Sequence, residues 1–168
     1  MRLFFGLDPD PATRRAIDTW RNALTGVTGK RVPTANLHLT LLFLGQVAPD
    51  RLTALRNAAD RIPCRPFSLV LDEVGYWRKP RVLWLGARDV PTPALRLAQA
   101  LRATALAQAL PLDDRAWRPH VTLYRSCHGL PDDLPGNPRI EAVFNGFTLY
   151  QSRSTDHGVH YDPLAVWH

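Results

Sequence analysis

Cysteine, methionine and lysine are the scarce residues of this 168-residue chain: two, one and two copies respectively. Cys64 and Cys127 have neither the number nor the spacing of a disulfide framework or a thiolate metal site, so both are expected as free thiols in a reducing, cytoplasmic setting. No apolar run is long enough to cross a membrane. The opening Met1–Leu7 is apolar but stops at Asp8-Pro9, which suits a first strand better than a signal-peptide core. A glycine-rich phosphate loop is missing, and with it the usual grip on ATP. His157-Gly158-Val159-His160 has no acid or thiol cluster beside it, so no metal and no cofactor are expected. The acid pairs Asp72-Glu73 and Asp132-Asp133 read as solvated turn or strand-edge residues.

What the chain does have is a core and a positive charge. Hydrophobic residues make up 45%, with five Trp and six Phe, enough for a folded globular protein. The net charge of +6 comes almost wholly from arginine, and an arginine-rich surface attracts anionic partners, RNA among them. A bias toward Ala, Pro and Arg from a GC-rich genome produces the same composition, so charge alone does not choose between them.

One tetrapeptide pattern occurs twice. His38-Leu39-Thr40-Leu41 and His120-Val121-Thr122-Leu123 lie 82 positions apart, close to half the chain. Each sits in an apolar run that reads as a strand, where residues two apart share a face. Each copy therefore presents one imidazole and one hydroxyl together. The surrounding elements repeat as well. In the first half, strand Leu3–Leu7 precedes a helix from Pro11 to Leu24 with Asp10 as its N-cap, and then the His38 strand. In the second half, strand Val82–Gly86 precedes a helix from Pro93 to about Leu110, capped by Thr92, and then the His120 strand. Leu97, Leu101 and Ala105 form that helix's core stripe.

Between the halves the pattern predicts a helix over Pro49–Ile62. A strand over Phe67–Leu71 and Val74–Trp77 with a glycine irregularity follows, in hairpin with Val82–Gly86. Ile140–Phe144, Phe147–Ser152 and Tyr161–Trp167 read as strands, and Cys127–Pro138 as a loop. The expected fold is α+β: one bilobal domain over 1–168, with two pseudo-twofold-related antiparallel-rich sheets, flanking helices and a central cleft between the lobes.

Two imidazoles suit proton transfer near neutral pH, one as base on water and one as acid on a departing oxygen. Thr40 and Thr122 can donate to non-bridging phosphate oxygens. Arg125, five residues after His120, can supply charge to a pentavalent phosphate. Phe43, five after His38, can stack on a base. Strict alternation puts both on the wrong face; they reach the site only where the strand bends or bulges.

These motifs, with "RLFFGL", "NLHLTLLFLG", "RVLWLG", "RPHVTLYRS" and "YDPLAVWH", resemble the 2H phosphoesterase superfamily, in its RNA 2′,3′-cyclic phosphodiesterase (2′-5′ RNA ligase-like) branch, from Arg2 to Trp167. The resemblance implies metal-free hydrolysis of an RNA 2′,3′-cyclic phosphate end, or of a small cyclic nucleotide, to a 2′-phosphate. It implies His38 as proton donor and His120 as proton acceptor, with Thr40, Thr122 and Arg125 on the phosphate and Phe43 against the nucleoside. The residues themselves are symmetric and do not separate acid from base. Tyr124 stands where the family often has Ala, with an expected effect on cleft width. Cleavage or formation of a 2′-5′ linkage, and a non-catalytic RNA-binding module of the same fold, are the alternatives. A monomer is expected.

Overall fold

The computed structural model describes residues 1–168. Strand β1 (Arg2–Leu7) leads into helix α1 (Pro11–Asn22). The Asp10 carboxylate accepts from the Thr13 N–H at 2.7 Å, and Pro11 opens the first turn, where a missing N–H costs nothing. The helix stops short of Leu24 because Ala23 and Leu24 donate to Trp20 and Arg21, a tightened last turn. Then come β2 (Lys30–Arg31), β3 (Leu39–Gln46), α2 (Leu52–Ala59), β4 (Phe67–Leu71), β5 (Glu73–Trp77), β6 (Val82–Gly86) and α3 (Thr92–Ala107). The chain ends with β7 (His120–Arg125), β8 (Ile140–Phe144), β9 (Phe147–Thr155) and β10 (Gly158–Trp167).

Several expectations need correction. Thr92 is not the cap of α3: Pro91 holds that place without a side-chain bond, and Thr92 is the first helical residue. Pro49–Arg51 forms a single 3-10 turn, and the α-helix proper starts at Leu52. The irregular strand expected over Phe67–Trp77 is two strands in two sheets, β4 pairing with β8 and β5 with β6. The switch occurs at Asp72, whose N–H donates to Gly86 and whose carboxylate accepts from the Arg88 N–H. Gly75 has a different task. It pairs with Trp84, and a Cβ there would be driven into the indole.

The main sheet is continuous, in the order β10-β9-β1-β3-β7-β6-β5, with β2 added on β7. The two halves are therefore not two separate sheets. β3 and β7 both turn their free edges inward and join through the antiparallel pair Leu39–Val121. Around that seam, β1 beside β3 mirrors β6 beside β7. The second sheet is only the ribbon β4-β8. α3 packs on β3, α1 on β8 and α2 on α3. The core under them takes Leu3, Phe5, Ile17 and Leu39 from the first half and Leu85, Leu101, Val121 and Leu149 from the second, all wholly buried. Burying each such side chain contributes about 1.5–3 kcal/mol before entropy is charged against it. The predicted stripe Leu97, Leu101, Ala105 is part of this core.

Candidate active site

The pair at the seam fixes the geometry of the site. Leu39 and Val121 sit opposite one another, and both point into the core. Their sequence neighbours must then point the other way. His38, Thr40, His120 and Thr122 thus share the face away from the core, and the register sets His38 across from Thr122 and Thr40 across from His120. All four are partly buried.

Beyond each threonine the strand carries one extra residue. In the β1–β3 ladder, Gly6 pairs with Thr40 but Phe5 with Leu42; in the β6–β7 ladder, Trp84 pairs with Thr122 but Leu83 with Tyr124. Leu41 and Leu123 are the unpaired residues of two β-bulges at equivalent places. A bulge resets the alternation. Leu41 with Leu42, and Leu123 with Tyr124, all pack on the core side, so Phe43 and Arg125 come round to the face of the histidines. Phe43 confirms this by its partner Phe4, whose ring lies 4.9 Å from that of His38. Phe43 is 47% exposed and has the Arg2 guanidinium 4.8 Å from its ring centre. Arg125 is exposed and close enough that its charge lowers the proton affinity of both histidines. Tyr124, expected to affect the cleft, instead packs on the core side near Leu24 and Cys127.

Each imidazole is fixed by a backbone carbonyl two residues earlier. His38 Nδ1 lies 2.7 Å from the Asn36 carbonyl and His120 Nδ1 2.7 Å from that of Arg118. A carbonyl only accepts, so Nδ1 carries the hydrogen in both rings and Nε2 is the atom free to exchange a proton. In His38 that Nε2 accepts from the Thr40 hydroxyl at 3.0 Å. The rings are walled by aromatics from the flanking strands: Phe4 and Tyr161 beside His38, Trp77 and Trp84 beside His120. Burial is the main reason both histidines hold protons weakly. His38 is pushed down to about 4, with the Asn36 carbonyl opposing and Arg125 and His120 adding to the effect. His120 moves in the same direction, with Arg118 and Arg125 contributing.

Sequence reasoning missed the braces behind these groups. Arg21 is wholly buried and donates to the carbonyls of Val32 (2.8 Å) and Leu123 (3.2 Å), the latter at the bulge that aims Arg125. Asp18 neutralises it and also accepts from Arg31 and the Thr34 hydroxyl. The available signal was position: Thr13, Ile17 and Arg21 form the buried stripe of α1, with Asp18 three residues before the arginine. Trp117 braces the other motif by donating from Nε1 to the Thr40 carbonyl at 2.9 Å. Arg14 donates to the carbonyls of Thr34, Ala35 and Leu37, which fixes the approach to His38. No three His, Cys, Asp or Glu side chains gather anywhere in the chain, so no residues can be named as holders of a metal. Both cysteines are free.

Residues 7–84 match the LigT like Phosphoesterase family model. The RNA 2′,3′-cyclic phosphodiesterase of Escherichia coli K12 is 36% identical over 167 residues, covering 99% of this chain and 95% of that protein. The chain belongs to the LigT-like phosphoesterase family. Solved structures agree with this LigT-like assignment. E. coli LigT complexed with 3′-AMP matches with a TM-score of 0.89 at 36% identity, over 99% of this chain and 96% of that one. Another phosphoesterase crystal structure matches with a TM-score of 0.91 at 35% identity, again over 99% and 96%. The shared fold is α+β, with antiparallel sheets and three helices. No helix of this LigT-like phosphoesterase is long and apolar enough to cross a membrane.

Proposed function

We propose that this phosphoesterase opens the 2′,3′-cyclic phosphate at an RNA end, or on a small cyclic nucleotide, leaving a 2′-phosphomonoester. The observation that carries the reading is the shared face: two imidazoles held by the backbone through Nδ1 with Nε2 turned to the site, two hydroxyls, and an arginine brought round by a bulge. Its relatives' activity and the nucleotide seen in the E. coli homologue support it.

In this reading the cyclic phosphate lies over the seam between β3 and β7. Thr40 and Thr122 donate to its non-bridging oxygens, and Arg125 faces the charge that builds up on phosphorus. His120 Nε2 takes a proton from water as the oxygen attacks. The bond from phosphorus to the 3′ oxygen breaks, and His38 Nε2–H gives that oxygen its proton. The assignment of His38 as donor and His120 as acceptor follows the family resemblance. Its physical requirement is that His38 be charged when substrate is bound, and the phosphodiester anion supplies the favourable field that the free protein lacks. Phe43, exposed on the His38 side, offers a stacking surface for the terminal base. The open face between the two aromatic walls is the cleft of one bilobal domain, acting as a monomer without metal.

The test is incubation with a short RNA ending in a 2′,3′-cyclic phosphate, with EDTA present, resolving 2′- from 3′-phosphate products. A 2′-phosphate is expected. A 3′-phosphate, or no turnover by folded protein, refutes the assignment.

A further inference from the structure

Two of the three non-glycine residues with left-handed backbone meet at the end of β7. Ser126, directly after Arg125, has φ 56°, and Arg81, in the turn that leads into β6, has φ 57°. Side chains disfavour this conformation, and it persists only where the surroundings over-determine it. Here they do. The Cys127 N–H donates to the Arg81 carbonyl at 3.0 Å, and Arg81 Nε returns a bond to the Cys127 carbonyl at 3.1 Å. Arg81 Nη2 donates to the Ser126 carbonyl at 3.3 Å, and Tyr76 Oη donates to the Cys127 carbonyl at 2.8 Å. Cys127 itself is wholly buried. From the other side, the His128 N–H donates to Thr28 Oγ1 at 3.1 Å. Gly29 lies so close to the Arg125 carbonyl and Cys127 Sγ that a Cβ has no room.

This clasp closes directly behind Arg125. Between the Leu83–Tyr124 pair and the Arg81–Cys127 bond, one side supplies Val82 alone and the other supplies Arg125 and Ser126. An extra residue on one strand bends that strand. The Arg125 side chain is exposed and has no hydrogen-bond or ion-pair partner in the chain, so its direction depends on the backbone it leaves. The bulge at Leu123 chooses the face, and the clasp fixes the backbone that follows. We infer that Arg81 is a positioning residue for Arg125, acting through the Ser126 and Cys127 carbonyls that it holds and not through its own charge. The inference rests on the function proposed above, in which Arg125 faces the phosphate.

Arg81→Gly removes the donors and places at φ 57° the residue that adopts it most freely, which favours a folded variant. Its kcat for adenosine 2′,3′-cyclic phosphate is expected to fall about tenfold, within the range of a misplaced active-site group. In an Arg125→Ala background the same change is expected to cost less than about twofold, because the group it aims is gone. Lys79→Ala removes a neighbouring exposed cation from the same turn and none of the clasp, and is expected to keep the wild-type kcat. An NMR titration gives a readout that a purely structural role does not move. Arg125 lowers the proton affinity of both histidines and Arg81 is not among the charges that do so, so Arg81→Gly should raise both by displacing Arg125. Wild-type kcat in folded Arg81→Gly overturns the inference. So do an equal loss in the Arg125→Ala background, an equal loss in Lys79→Ala, and unmoved histidine titrations. If Arg81→Gly does not fold, Tyr76→Phe decides by the same comparisons: it removes only the hydroxyl bond to the Cys127 carbonyl, with an expected loss of about threefold, the scale of one hydrogen bond. Wild-type hydrolysis is the control. If it fails, the proposed function falls, and the histidine titrations alone decide whether Arg81 positions Arg125.

Discussion

Acidification is expected to destabilise this protein through His38 by an amount that the site geometry sets. The ring is enclosed by Phe4 and Tyr161, and burial holds its proton affinity down to about 4, against about 6.5 in an unfolded chain. Between those values the unfolded state binds a proton that the native state refuses, so stability rises with pH through the window and falls as pH drops. One proton corresponds to about 1.4 kcal/mol per pH unit, so the loss between about pH 7.5 and about pH 4.5 is about 2–3 kcal/mol. The comparison is with His38→Asn, whose amide can still donate to the Asn36 carbonyl but does not titrate. Urea unfolding of both proteins across that range, at constant ionic strength, isolates the contribution. His120, lowered in the same direction, and the carboxylates are present in both proteins and cancel. Wild type should lose about 2–3 kcal/mol more than the variant on going to about pH 4.5. Parallel stability curves, or an NMR titration of His38 near its ordinary value in the free protein, would refute the argument that burial keeps this ring neutral.

The other predictions concern the groups around that ring. His38→Ala and His120→Ala should each lower turnover of a nucleoside 2′,3′-cyclic phosphate by about 10²–10⁴-fold with folding intact by circular dichroism; near-wild-type rates in either would end the two-histidine mechanism. Arg125→Ala should slow turnover and also raise the proton affinity of both histidines, since its charge lowers both; an unmoved NMR titration would mean that the side chain is not beside them. Arg21→Met leaves the Leu123 carbonyl without its side-chain donor and Asp18 without its buried partner, at a cost of about 3–5 kcal/mol in chemical denaturation; a loss under 1 kcal/mol would remove Arg21 as a brace. Gly75→Ala forces the Trp84 indole off its strand partner and should perturb the His120 ring resonances, an effect absent at the exposed turn glycine Gly26.

Much of this arrangement was legible in the sequence because it is local and periodic. Residues two apart on a strand share a face, so each His-x-Thr could be paired without a structure. The half-chain spacing then implied two copies of one unit, and the Asp10 cap of α1 and the core stripe of α3 followed from neighbours along one helix, whereas the Thr92 cap did not hold. The position of Arg125 was legible only as a condition. Alternation sent it away from His120, and the bulge that returns it depends on the pairing of β7 with β6, which no local pattern encodes. The continuous sheet escaped for the same reason. Its seam is one residue pair, Leu39 with Val121, from opposite halves of the chain.

The braces explain why a seam so narrow can hold a defined site. Between β3 and β7 there is only one ladder pair, and the other backbone ties from the first half onto β7 are the two-residue β2 and the Val32 N–H donating to the Leu123 carbonyl. Each motif is in addition tied by a side chain from the other half. Arg21 of the first half holds the bulge carbonyl of the second motif, and Trp117 of the second half holds the Thr40 carbonyl of the first. The ties cross the seam in opposite directions, so relative movement of the halves must stretch at least one of them. Arg21 is bound to be costly on its own, since a buried guanidinium requires Asp18 and two carbonyls to offset its desolvation. A hydrophobic residue would serve the core of α1 at least as well. What an arginine adds at that position is several directed donors, and one of them ends at the bulge that turns Arg125 toward the histidines.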